Sequence, residues 1–316
     1  LPLACPTWST GRLWLLRLGY YKLTRPKCQA DDWVWIVDHT LQIGTDKCLV
    51  ILGIRLSDLP PAGQCVRHEE VEPLALYPVT RSNGQIVYQQ LEDTLEKTGV
   101  PREIISDHGA DVWSGVKQFC QAHSETCAVY DIKHKTAAVL KHELEQDTAW
   151  HTFTQQAAQT KSQLQQTALA PLTPPQQRSK ARYMNVDVLI RWGQAILALL
   201  DHPPEGTGVT FDRVKVQAKL GWLTEYRQWL GEWNELLQCV TAVESFVKQQ
   251  GLYHGAHNQL AEQLPPAQTE RARRVRTELL SFVAEQEAEA RVNERLLGSS
   301  EVIESVLGKL KRVEHQ

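Results

Sequence analysis

The sequence predicts an α/β fold: a mixed five-stranded sheet flanked by helices, with a large all-helical insertion. Three observations predict it. Three short aliphatic runs follow one another between Trp33 and Val79. Helical and strand-like segments then alternate as far as Ile132, and beyond residue 145 no strand-like run occurs. Three hairpin-joined strands followed by alternating helix and strand build such a sheet, with helices on both faces.

The elements follow in order. Residues 1–30, rich in Trp, Leu, Arg and Tyr, form an N-terminal helical connector. WVWIVDHT is an apolar run closing on Asp38, which marks the end of the first strand. KCLVILGIRL (47–56) and EPLALYPV (72–79) are bounded by Gly, Pro or polar residues and make the second and third strands. NGQIVYQQLEDTLEKTG (83–99) places Ile86, Leu91 and Leu95 on one helical face and stops at Gly99. PREIISD (101–107) is a fourth strand ending at Asp107, residues 112–123 a second helix, TCAVYDI (126–132) a fifth strand, and residues 136–145 begin another helix. Residues 31–145 thus form a core with the strand and helix order of the RNase H-like fold.

The composition then shifts. Residues 146–170 are rich in Gln, Thr and Ala, and PLTPPQQRSKAR is a Pro-containing connector. Residues 186–251 read as amphipathic helices with Trp192, Trp222, Trp229 and Trp233 as core anchors. Residues 269–290 form a charged helix and residues 301–312 a last helical segment. The expected division is 1–30, 31–145, a helical insertion over 146–297, and 298–316 returning to complete the core.

Composition narrows the function. The 316 residues are 42% apolar and 22% charged, ordinary for a globular protein. No run of eighteen apolar residues suggests a membrane span, and the first residues lack the order of a signal peptide. The chain does not begin with Met and is expected to be a fragment or to lack its natural start. Seven scattered cysteines with no Cys-x-x-Cys pair argue against a disulfide framework or zinc ribbon and fit reduced thiols in a cytoplasmic protein. No Walker-type loop, Gly-x-Ser-x-Gly elbow or Cys/His pairing supports ATP use or acyl transfer. The net charge of −3 weighs mildly against nucleic acid. Basic runs do occur, at Arg178, Lys180 and Arg182 and at Arg271, Arg273, Arg274 and Arg276, where a solvated helix face is the plainer account.

The carboxylates carry the chemistry. If the first and fourth strands are neighbours, Asp38 and Asp107 emerge at the same sheet edge. Two acids there repel unless a cation sits between them. Hard oxygen donors suit Mg²⁺ or Mn²⁺, and two such ions about 3.5–4 Å apart can activate water and stabilise a leaving oxygen at phosphorus. Each Asp alone is as readily a capping or turn residue, and a third acid is needed.

Asp38, Asp107 and a late Glu resemble the DDE triad of transposases and retroviral integrases. In GSSEVIESVLGKLK (298–311), Glu304, six intervening residues and Lys311 are similar to the Glu and Lys of the signature of cut-and-paste insertion-sequence transposases. The Tyr and Arg of that signature fall at Leu297 and Ser300 and are absent. Glu301 rivals Glu304 as third acid; the spacing to Lys311, two turns on along one helical face, favours Glu304. Asp131-Ile132-Lys133-His134 is similar to a Cys/Asp-x-x-His motif of some such families. The resemblance implies an RNase H-like DNA transposase holding two Mg²⁺ or Mn²⁺ ions on Asp38, Asp107 and Glu304. It implies element ends and target DNA as partners, a homo-oligomer on DNA, and a bacterial, nucleoid-associated location. Lys311 would bind phosphate. Lys133, His134, Lys135, Arg178, Lys180 and Arg182 are further DNA-contact candidates, and Asp131, His108 and Glu301 are candidates for a supporting role. Lys133, Lys135 and Lys141 equally fit a solvated face, and His39, His108 and Asp111 fit turn or supporting positions. A related nuclease and an inactive, domesticated DNA-binding module are the alternatives.

Overall fold

The structure, a computed structural model, describes residues 5–43, 45–176, 183, 186–202, 212–303 and 305; the side chains of 40–43 are not described. Arg178, Lys180, Arg182, Glu304 and Lys311 lie outside the described residues. The chain divides into two compact units: Leu1–Ile132 with Phe246–Ala256 and Val283–Gln316, and Lys133–Ser245 with His257–Phe282. These divisions fall at other places than residues 145 and 297.

In the first unit, α1 (Trp8–Thr24) precedes β1 (Trp33–Ile43), β2 (Asp46–Arg55), β3 (Glu72–Val79), α2 (Gly84–Thr98), β4 (Glu103–Ser106), α3 (Ala110–Ala122) and β5 (Cys127–Tyr130). The sheet order is β3-β2-β1-β4-β5. The β1–β2 and β2–β3 pairs are antiparallel; β1–β4 and β4–β5 are parallel. This is the RNase H-like arrangement, a mixed five-stranded sheet flanked by helices. The strands are buried aliphatic runs because the sheet is covered on both faces. Trp35, Val37, Leu49, Ile51, Leu91, Ile104, Val116 and Phe119 share one core, with the Trp35 and Phe119 rings 5.6 Å apart.

Asn83 caps α2, its side chain accepting from the Ile86 amide at 2.9 Å, and Gly99 ends it at φ 85°. The buried face is Val87, Gln90, Leu91, Thr94 and Thr98. Ile86 and Leu95, expected at its centre, lie at its margins because the helix turns Val87 toward α3. There Gly115 lets the helices approach: a Cβ on it would lie 2.6 Å from the Val87 side chain.

On the other face, a segment from the end of the chain returns to the sheet. Arg102 donates to both carboxylate oxygens of Glu294, at 2.9 and 2.8 Å. The Leu297 amide donates to Glu103 at 2.9 Å, and the Ile132 amide to the Gly298 carbonyl at 3.1 Å. Leu252 and Leu296 form an antiparallel bridge outside the sheet. These contacts place residues 246–256 and 283–297 with the sheet unit.

The second unit is helical: the remainder of α4 (Ile132–Glu145), α5 (Thr148–Leu164), α6 (Val186–Asp201), α7 (Arg213–Leu220), most of α8 (Arg227–Gln250), and most of α9 (Ala256–Gln263) and α10 (Glu270–Glu287). Trp150, Phe153 and Trp233 form its centre, with the two indoles edge-on at 5.0 Å. Trp192 and Trp222 are half-buried, each donating its indole N–H, to Leu172 O and Thr160 Oγ1. Trp229, expected as an anchor, is 40% exposed, since the face of α8 that packs inward carries Leu230, Trp233, Leu236 and Leu237. Among the described residues no helix is long and apolar enough to cross a membrane.

Asp147 joins this core to α10. It caps α5 through the Trp150 amide, accepts from the Trp233 indole at 3.1 Å and from Arg271 at 2.7 Å; Arg271 also meets Glu143 at 2.9 Å. Burial alone would raise the Asp147 carboxyl, but bonds from Arg271, Trp233 and the Trp150 amide outweigh it and hold it below its usual range. Arg271→Ala strands two mostly buried carboxylates. It is expected to cost about 3–5 kcal/mol, read as a shift of the urea midpoint; a change under about 1 kcal/mol would rank the network with surface pairs. The other arginines of this run also serve the unit: Arg273 and Arg276 donate to backbone carbonyls, and Arg274, 59% exposed, approaches Glu143 at 3.3 Å.

Candidate active site

The site is built by register. The last parallel pair of β1 and β4 is Val37↔Ser106, and Ser106 pairs in turn with Tyr130 of β5. One residue further on stand Asp38, Asp107 and Asp131. The Asp131 amide donates to the Ser106 carbonyl at 3.0 Å, so the ladder reaches this row. Side chains alternate along a strand and neighbouring strands lie about 4.8 Å apart. Asp38 therefore shares its face with Val34 and Ile36, and Asp107 continues the face of Glu103 and Ile105. That is the face over which the returning segment runs.

Asp38 does not end β1, as the sequence suggests. The strand continues to Ile43, and its pairing with β2 shifts register between Asp38 and Leu41. β2 goes on supplying partners on one side while β4, on the other, stops at Ser106. A bulge at such a point bends the strand and re-aims its side chains. Asp107 sits in the turn between β4 and α3, where it accepts from the Gly109 amide at 3.1 Å.

Around the pair, Asp111 in the first turn of α3 lies 3.3 Å from His39 Nδ1 and 3.9 Å from Lys47 Nζ. The His39–Asp111 approach is close enough for an ion pair but out of line for a hydrogen bond, and both ring nitrogens of His39 are buried without a hydrogen-bond partner. Burial pushes the His39 imidazole below its usual range, against the pull of Asp111. His108 stacks on Tyr130 with centroids 3.5 Å apart and rings 8° from parallel, and lies 3.9 Å from Trp113. It is held by aromatic packing, more firmly than a turn residue requires.

Asp131 is 1% exposed, and its Oδ2 accepts from both the amide and the hydroxyl of Ser300, each at 2.5 Å. Glu301, the rival third acid, meets Lys248 at 2.6 Å. Glu304, Lys311, Arg178, Lys180 and Arg182 lie outside the described residues. In the second unit, Lys133, His134 and Lys135 fall in the first turn of α4; Lys135 pairs with Glu278 at 2.7 Å and lies over the Phe282 ring.

Among the described residues no group of three or more His, Cys, Asp or Glu is placed to hold a metal ion. Asp38 and Asp107, each one residue beyond the Val37↔Ser106 pair, are two hard oxygen donors at the ends of neighbouring strand segments. That donor set fits Mg²⁺, which is commonly held by one or two carboxylates with water and phosphate completing its shell.

No family model matches the chain, and no curated protein matches it. The solved Drosophila P element transposase strand transfer complex is similar to it at a TM-score of 0.37 and 12% identity, over 96% of this chain and 79% of that one. So distant a likeness carries no argument, and the fold assignment rests on the strand order.

In the sequence, Arg102 and Glu103 have no assigned role, and Ser300 is noted only as a position where the signature's Arg is absent. A charged pair opening a buried strand gives no local signal. Ser299-Ser300 ahead of an apolar stretch does, being a helix N-terminal signature.

Proposed function

We propose that the chain is the catalytic core of a DDE-type DNA transposase, cleaving and rejoining DNA in a metal-dependent reaction. One observation supports the reading: Asp38 and Asp107 each follow directly on the last paired residues, Val37 and Ser106, of two neighbouring parallel strands. A fold that leaves two carboxylates adjacent at a sheet edge incurs their repulsion, which a bound cation relieves. In this reading Asp38 and Asp107 hold Mg²⁺ or Mn²⁺, with Glu304 as third donor in a two-ion centre. Bound divalent ions there supply activation of water and neutralisation of charge at phosphorus. The freed 3′-hydroxyl would then attack target DNA in the same site.

The partner is DNA, both element ends and target, with a homo-oligomer assembled on it. Lys311, Lys133, His134, Lys135, Arg178, Lys180 and Arg182 are proposed phosphate contacts. Lys311→Ala is expected to lower the slope of log affinity against log salt by about 1, read by anisotropy on duplex DNA; an unchanged slope removes Lys311 from the interface. The deciding experiment is plasmid cleavage by the full-length protein in Mg²⁺ or Mn²⁺, wild type against Asp38→Asn and Asp107→Asn. Joined products separate a transposase from a nuclease that only cuts. Cleavage that survives both substitutions rejects the proposal.

A further inference from the structure

We propose that Asp131 is a positioning residue: with Ser300 it forms a clasp that fixes where the last described helix begins, over the face carrying Asp38 and Asp107. The proposal rests on the function above and concerns the helix start that precedes the proposed third acid in the sequence.

Asp131 belongs to the same row as Asp38 and Asp107, yet its Oδ2 is engaged by Ser300. A Ser ahead of a helix ordinarily turns its hydroxyl back onto an amide of the first turn. Ser300 does otherwise. Its amide and its hydroxyl both donate to Asp131, at 2.5 Å, while its carbonyl accepts from the Ile303 amide at 2.9 Å and opens the helix. The Glu301 amide is served instead by the Ser299 hydroxyl at 3.3 Å. The helix start is therefore docked to the end of β5 through a buried carboxylate.

The approach to the clasp is held just as closely. Leu297 is bonded to Glu103 and Gly298 to Ile132, and a Cβ on Gly298 would lie 2.2 Å from Val247 Cγ1. Three of four consecutive residues, Leu297, Gly298 and Ser300, are thus bonded to β4 or to the two residues Asp131 and Ile132 that follow β5. A helix turns about 100° per residue, so a start displaced by one residue would turn the described residues of this helix, Glu301 among them, to another face. Glu301 opens this helix, and Glu304 follows three residues on in the sequence. Fixing residue 300 is what a distant acid needs if it is to reach the Asp38–Asp107 edge within the tolerance that chemistry allows.

The test uses the full chain and four proteins: wild type, Ser300→Ala, Ser300→Thr and Asp131→Asn. Five properties are measured: Mn²⁺ affinity without DNA by electron paramagnetic resonance, the Mn²⁺ dependence of plasmid cleavage, DNA affinity, melting temperature, and amide exchange over residues 299–303. Ser300→Ala and Asp131→Asn are expected to weaken Mn²⁺ affinity roughly 10–100-fold, the range for groups that orient a ligand. DNA affinity should be unchanged, amide protection at 301–303 lost, and Ser300→Thr should restore the wild-type values. A purely structural role would lower melting temperature while leaving Mn²⁺ affinity intact, and that result overturns the proposal. So does loss of Mn²⁺ binding in Asp131→Asn with Ser300→Ala unaffected, which would make Asp131 itself a ligand. If wild type neither binds Mn²⁺ nor cleaves, the proposed function fails, and the exchange data alone judge the clasp: unaltered protection in Ser300→Ala refutes it, and lost protection upholds it.

Discussion

Replacing Asp38 or Asp107 with Asn is expected to lower metal-dependent DNA cleavage by roughly 10³-fold or more, equivalent to about 4 kcal/mol of barrier, without loss of fold. Asp38 and Asp107 follow the Val37↔Ser106 pair on adjacent parallel strands. In the proposed site these carboxylates serve to hold a cation, so in its absence removing either is expected to leave the fold intact. Melting temperatures in EDTA should therefore match wild type while cleavage collapses. Two features make the test sharp. Asn keeps the size and one oxygen of Asp but removes the charge that attracts a divalent ion. The row-mate Asp131 is committed to Ser300 and does not offer its Oδ2 as a substitute donor. Unaltered rates in both variants would reject the mechanism for this chain and leave the fold untouched. Lower melting temperatures in EDTA would instead mean that these carboxylates hold the sheet edge together.

The second large effect concerns Glu103 and the pH dependence of stability. Glu103 is fully buried at the start of β4. Burial raises its carboxyl to about 8, against the opposing pull of the Leu297 amide and Arg102. The folded state thus retains a proton that the unfolded chain releases near 4.5. Between those values the native protein binds more protons than the unfolded one, so stability falls as pH rises, fully present below about 4.5 and lost through about 8. The span of about 3.5 pH units corresponds to about 4–5 kcal/mol. Glu103→Gln keeps an acceptor for Leu297 and cannot ionise. Its stability relative to wild type is expected to climb by about 4–5 kcal/mol between pH 4 and pH 9. Urea midpoints across that range measure it. Parallel curves for the two proteins would mean that Glu103 is ionised in the fold and compensated by Arg102. A steep curve for wild type alone would identify Glu103 as the group whose ionisation in its buried place destabilises the fold at alkaline pH.

Much of the architecture was legible along the chain, because its signals are local. Asn83 and Gly99 delimit α2 through capping and a left-handed turn, and the aliphatic runs at 47–56 and 72–79 fall within a residue of β2 and β3. The alternation of runs predicted a mixed five-stranded sheet, and the structure supplies the β1–β4 adjacency that the sequence reading took as its condition. The misreadings arose where a partner decides the outcome. β1 outlasts Asp38 because β2 continues to pair with it after β4 has stopped. Trp229 looks like its neighbours in sequence, and only the packing of α8 leaves it exposed. The arginine run 271–276 reads as a solvated basic face, yet Arg271 and Arg276 turn to carboxylates and carbonyls of their own unit.

The sequence by itself determined the elements, their order and the two acids that close the first and fourth apolar runs, since propensity, capping and periodicity act within a few residues. Only the tertiary structure decided that Asp131 joins the row of Asp38 and Asp107 and is engaged by Ser300. Ser300 docks a helix start to the sheet, its amide and its hydroxyl both donating to Asp131. The same holds for Glu103 and Arg102, whose partners Leu297 and Glu294 lie more than 190 positions away along the chain. A hydrogen bond or a buried charge is a relation between two sites. When loop closure brings those sites together across most of the chain, neither residue carries a local mark of the other.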